Sequence, residues 1–131
     1  MRRAPDTAAL AAAATTATRL AEGAEVPRPE LAAAVRTSLA WLAHTHPGKL
    51  VEVRVPPFGA VQVGVDGQAS AHTRGTPPNV VETDPRTWLA LASGRMAWPD
   101  ALAGHRVSAS GVHADLTAHL AGLAAELGGA G

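Results

Sequence analysis

The chain has 131 residues, 47% of them hydrophobic, with eleven Lys and Arg against eleven Asp and Glu and no cysteine. That length suits one domain spanning 1–131, and the charge cancels locally: residues 1–47 hold five Arg and four acids, the remainder six basic residues and seven acids. The even balance argues against a basic face that could follow a phosphate backbone, so no nucleic-acid partner is expected; the missing thiols exclude disulfides, thiolate nucleophiles and Cys-ligated metals.

The first helix is expected from Asp6 or Thr7, whose side chains can accept a free backbone N–H, to Gly23, which suits a left-handed helix end. Arg2 and Arg3 precede an Ala-rich stretch in the manner of an export signal. Leu10 is its one large apolar residue before Arg19, however, and Thr15, Thr16 and Thr18 interrupt it. That hydrophobicity is too low for an export core, so a cytoplasmic amphipathic helix is expected. No window approaches the ~20 apolar residues of a membrane span. A second helix opens at Pro29 and Glu30 and repeats Leu31, Val35, Leu39 and Leu42 on one stripe, until Pro47 and Gly48 stop it.

The period then changes to two. Val51, Val53 and Val55 alternate with Glu52 and Arg54, and Val61, Val63 and Val65 with Gln62 and Gly64, which reads as two half-buried strands joined by "PPFG". Asp66-Gly67 suits a type I′ hairpin turn into a weaker third strand over 68–74, giving an antiparallel meander with one wet face. A loop at 74–79 leads to "VVETD", a short strand or strand-like lead into the next helix. Asp84-Pro85 then caps a short helix that Gly94 closes, and Trp98-Pro99-Asp100 starts another that Gly104 closes. "RVSAS" returns to strand with Val107 and Ala109 on one face. After Gly111 a last helix carries Leu116, Leu120, Leu123 and Leu127. Residues 1–5 and 128–131 are expected to fray. Helices bracketing an antiparallel sheet make the fold class α+β.

The residue types of catalysis are present without their spacings. His44 and His46 stand two apart at a helix end, where the dipole favours a solvated His. His113 and His119, six apart, lie on different sides of a helix, and "HADLTAH" is not a zinc-binding His-Glu-x-x-His. Ser108 and Ser110 lack the Gly-x-Ser-x-Gly elbow, and Glu82 with Asp84 is better read as a solvated acid beside a helix cap. No catalytic residue, metal site or cofactor is therefore expected. Trp88 either anchors its short helix on the sheet or lines a pocket. Trp98, just before Pro99, is the better pocket or interface candidate, and Trp41 lies off its helix's stripe, facing the last helix or a partner. Arg74 ends a strand beside a loop stiffened by two prolines and could present its guanidinium to a carboxylate, although an ordinary loop arginine would look the same.

The run "TDPRTWLALASGRMAWPDALAGHRVSASG", with "LALASG" at 89–94, "DALAG" at 100–104 and "RVSASG" at 106–111, resembles the sterol carrier protein (SCP-2-like) superfamily, and its bacterial single-domain branch in particular. The resemblance implies a mainly antiparallel five-stranded sheet covered by about five helices. It also implies an apolar cavity between sheet and helices that in relatives takes sterols, fatty acids or acyl-CoA; a single lysine argues against a strong coenzyme-A phosphate site. In this sequence the residues expected at such a cavity are Leu39, Leu42, Val53, Val63, Arg74, Trp88, Leu89, Trp98, Leu116 and Leu120. The expected function is then a cytoplasmic, non-enzymatic small lipid-binding or carrier-like domain. The alternative is an interaction or accessory module on the same scaffold with a filled core. The partner in the first case is a lipid or other apolar small molecule; membrane insertion is not expected, and a homodimer stays open.

Overall fold

The computed structural model describes residues 3–69 and 79–128. Its elements run α1 Thr7–Ala21, α2 Arg28–Thr45, β1 Val51–Val55, β2 Gly59–Val63, β3 Asn79–Thr83, α3 Pro85–Ala92, α4 Trp98–Ala103, β4 Val107–Ser110 and α5 Thr117–Leu127. The α+β class holds, and five helices are present as expected.

Local chemistry explains the helix ends. Asp6 caps α1 by accepting from Ala9 N at 2.7 Å, and Asp84 caps α3 by accepting from Thr87 N at 3.0 Å and Thr87 Oγ1 at 2.6 Å. Gly94 closes α3 in the left-handed region at φ +76, its N–H and that of Arg95 bonding back to Leu91 O and Ala90 O. Gly104 ends α4 as its C-cap, but with an ordinary φ of −85 and its N–H bonded to Asp100 O at 2.9 Å; the left-handed conformation falls one residue later, on His105 at φ +56.

The sheet has the order β2-β1-β3-β4 among the described residues. β1 pairs antiparallel with β2 (Val53 opposite Val61) and β3 antiparallel with β4 (Val81 opposite Ala109), but β1 and β3 are parallel, Val53 opposite Val81. This corrects the five-stranded antiparallel expectation: four strands are described, and the central pair is parallel. After the β1–β2 hairpin the chain crosses to the other edge of β1 and so enters β3 in β1's direction, a path that the long connection between Val63 and Asn79 permits. The expected third strand over 68–74 falls mostly outside the described residues; Gln68 and Ala69 carry no regular structure. The type I′ turn is also corrected. Gly67 alone has positive φ (+79), Asp66 does not, and Gln68 N closes the turn on Val65 O at 3.0 Å.

Period two delivers one buried face. Val51, Val53, Val55, Val61, Val63 and Val81 all point inward, whereas Gln62 and Glu82 are exposed and Glu52 and Arg54 half-buried. Ala109, expected inward beside Val107, is exposed at the sheet edge. The "PPFG" turn, with a cis bond between Pro56 and Pro57, folds Phe58 under α2. There Arg28 lies 5.0 Å over its ring and Arg36 Nε donates to its carbonyl at 3.1 Å. Asn79 ties two connections together from a buried position, donating to Leu50 O at 3.0 Å and accepting from His113 N at 2.9 Å. α5 starts later than expected because residues 111–116 are spent on a turn, in which Asp115 accepts from Thr117 N and Oγ1.

Candidate functional site

The structure gathers the apolar candidates into one layer between the sheet and the helices. Leu39 and Leu42 come from α2, Val53 and Val63 from the sheet, Trp88 and Leu89 from α3, Leu116 and Leu120 from the end and start of their turn and helix. All belong to a single buried cluster. Arg74 lies outside the described residues. The layer is occupied at its centre by Trp88, which is 0% exposed and donates from Nε1 to Ser38 Oγ at 2.8 Å; Ser38, also 0% exposed, donates in turn to Val35 O at 2.8 Å. Trp88 therefore anchors α3 on α2 through an indole whose polar edge is satisfied inside the core. Trp98 is nearly buried and, with Leu91, Met96 and Leu120, lines a shallow depression of about 250 Å³ between α4 and α5.

A larger concavity lies elsewhere. Ala9, Ala12, Ala13 and Thr16 of α1 face Ala33, Ala34 and Thr37 of α2 across a groove of about 500 Å³, open along one side. Methyl side chains let the two helices approach yet leave the space that longer ones would fill. Arg19 and Glu30 stand at the mouth, paired at 3.2 Å and both about half exposed, with Arg19 also donating to Glu25 O. This groove was not among the sequence candidates. Its signal is the spacing of small residues, Ala9, Ala12, Ala13 and Thr16, on one face of a helix, which reads equally well as plain helix packing.

His119, which the sequence reading weighed only as a metal ligand and set aside, is buried in the core. It is 3% exposed, its Nε2 donates to Gly64 O at 2.8 Å, and its Nδ1 has no hydrogen-bond partner among the described residues. The His46 ring sits against it with centroids 4.5 Å apart, and Trp41 meets His46 edge-on at 6.2 Å while lying on Gly122 of α5. Trp41 thus looks toward the last helix, one of its two expected directions. Burial holds the His46 imidazole below its ordinary value; neighbouring His119 adds to this, and Asp66 acts in the opposite sense. The signal for His119 was its place three after Leu116 and four before Leu123, on the buried stripe. Among the described residues no three His, Cys, Asp or Glu side chains come together as metal ligands, and no helix is long and apolar enough to cross a membrane.

No curated protein matches the chain. Residues 27–121, from the threshold of α2 into α5, match the family described as bacterial SCP ortholog. The match spans well over half of the 131 residues and takes in the sheet, α2 to α4 and the "LALASG" and "RVSASG" runs. The chain belongs to the bacterial SCP ortholog family, a sterol carrier protein-like family.

Proposed function

We propose that the chain is a non-enzymatic, carrier-like domain of the cytoplasm that holds a small apolar molecule of the lipid class, fatty-acyl or sterol-like, and that the groove between α1 and α2 receives it. The observation that carries the reading is that groove: its volume of about 500 Å³ lies within the ~300–1,000 Å³ of clefts that hold small ligands. Its walls are the small side chains of Ala and Thr, and the Arg19 guanidinium, paired with Glu30, lines it as well. Exposed Arg19 can exchange the Glu30 carboxylate for that of a fatty acid at little cost, because a surface ion pair contributes only ~0–1 kcal/mol. Family membership supports an apolar ligand; α2 lies inside the matched span and α1 before it.

The test is native mass spectrometry of protein purified from cells, followed by titration with a fluorescent fatty acid. A co-purifying acyl or sterol-like mass is expected. Ala33→Leu, which fills the groove from an exposed position, is expected to weaken probe binding about tenfold, or ~1.4 kcal/mol. A clean apo species that also ignores the probe overturns the reading. The filled layer around Trp88 favours a second reading, an interaction or accessory module on the same scaffold. Light scattering for oligomer size and a pull-down test it.

A further inference from the structure

We propose that His119 and His46 form an acid-released latch that holds α5 against α2 and the end of β2. The three elements meet at Gly64. Its N–H bonds to His46 O at 2.8 Å, and its carbonyl accepts from His119 Nε2 at 2.8 Å. A side chain at Gly64 has no room, since a Cβ would stand 2.3 Å from Pro47 O. The backbone of the α2 end and of the β2 end are therefore in contact, and the His119 ring closes the junction from α5.

The hydrogen bond to Gly64 O places the ring's proton on Nε2. A second proton must then go to Nδ1, which is buried and faces no acceptor among the described residues. Protonation in the closed state would create a buried cation with an unpaired N–H, beside the His46 ring at 4.5 Å. Among the described residues the pair also meets Asp66, after β2, which acts on His46, and Asp115, before α5, whose carboxyl His119 helps to hold below its ordinary value. Neither hydrogen-bonds Nδ1. Relief comes from exposing the ring. α5 has eleven residues, and it is short enough to leave its seat while the sheet stays intact.

The sign follows from linkage. Burial and His119 lower the His46 value in the closed state, so the open state binds more protons. The closed state is fully favoured above the ordinary histidine value of about 6.5, and the advantage is lost as pH falls below it. Hydrogen exchange of the full chain, followed by mass spectrometry from about pH 7.5 to 5 and corrected for intrinsic exchange, tests this. Peptides over α5 are expected to lose protection about tenfold across that range, while β1 and β3 change less than about twofold. Equal protection at both ends, or equal loss in α5 and the sheet, overturns the latch. His119→Gln keeps an amide donor for Gly64 O and takes up no proton, so the acid loss of protection in α5 should shrink to about threefold or less, the part left to His46; a loss as large as in the wild type overturns the proposal. Should that variant not fold, His46→Gln should likewise reduce the loss several-fold, and an unchanged loss overturns the pairing of the two rings.

Discussion

The hydrogen bond between Trp88 and Ser38 gives the most direct test of whether the layer under α3 is a closed core. Ser38→Ala removes the acceptor that the described residues offer an indole N–H that is wholly buried; both residues are 0% exposed and the bond is 2.8 Å long. An N–H left unsatisfied in such a place costs about 1–3 kcal/mol. The Ser38 hydroxyl's second bond, to Val35 O, is intrahelical and its loss is minor. Alanine's better helix propensity returns about 0.5 kcal/mol, so the net loss should be about 1–2 kcal/mol. In a Trp88→Phe background the donor is gone, and Ser38→Ala should then be nearly neutral. The cycle should show a coupling of about 1 kcal/mol or more, beyond the ~0.3–0.5 kcal/mol by which independent sites depart from additivity.

Urea denaturation followed by far-ultraviolet circular dichroism measures all four proteins, with an unchanged denaturant slope as the control for two-state unfolding. Equal costs of Ser38→Ala in the two backgrounds would refute the reasoning, because they would mean that the indole N–H finds water or another partner. That result would also imply a wetter, roomier layer, the condition under which an apolar ligand enters between sheet and helices rather than between α1 and α2.

Gly94→Ala puts a Cβ at φ +76, 3.2 Å from the Ala124 methyl of α5, and should cost about 1–2 kcal/mol in thermal or urea unfolding; His105→Gly, which relieves the same conformation at φ +56, should be neutral or stabilising by up to ~1 kcal/mol. Burial alone would raise the Asp84 carboxyl, but hydrogen bonds from Thr87 and the charge of Arg106 outweigh it and leave the group below its ordinary value. Its contribution is therefore present above the unfolded value of about 3.9 and lost as pH falls through the lower folded value. Asp84→Ala should cost about 1 kcal/mol at neutral pH, with the gap to wild type closing below about pH 4; a gap that stays constant into acid would show that the carboxylate's charge is not what caps α3.

How far the fold could be read depended on the range of the signal. Periodicity assigned α2, α5, the first two strands and the inward Val face, because burial of one face imposes a period of 3.6 or 2 on the residues themselves, while α1, α3 and α4 were read from their caps and helix-start prolines. Strand direction was not legible in the same way. Val53 carries the same pattern whether its neighbour across the sheet runs parallel or antiparallel, and the weak alternation over 68–74 in the connection does not say on which edge of β1 the chain re-enters the sheet. The end of α4 was legible at Gly104, its C-cap, but not the left-handed turn that follows on His105, just before Arg106, whose carbonyl accepts from Thr83 Oγ1 at 2.8 Å. The site was harder still. Leu39, Val53 and Trp88 were correctly expected to converge, but convergence of apolar side chains is what a core and a cavity have in common. Only the distances between them separate the two. Trp88 illustrates this: its Nε1 has a partner in the core from Ser38, fifty residues earlier, on a helix that no local pattern links to α3. Ser38 lies on α2 three positions after Val35 and adjacent to Leu39, so its burial was predictable, whereas its partner was not. A polar residue on an apolar stripe is thus the place where a sequence announces a specific tertiary bond without naming the other end, and His119 on the stripe of α5 is the second such place in this chain.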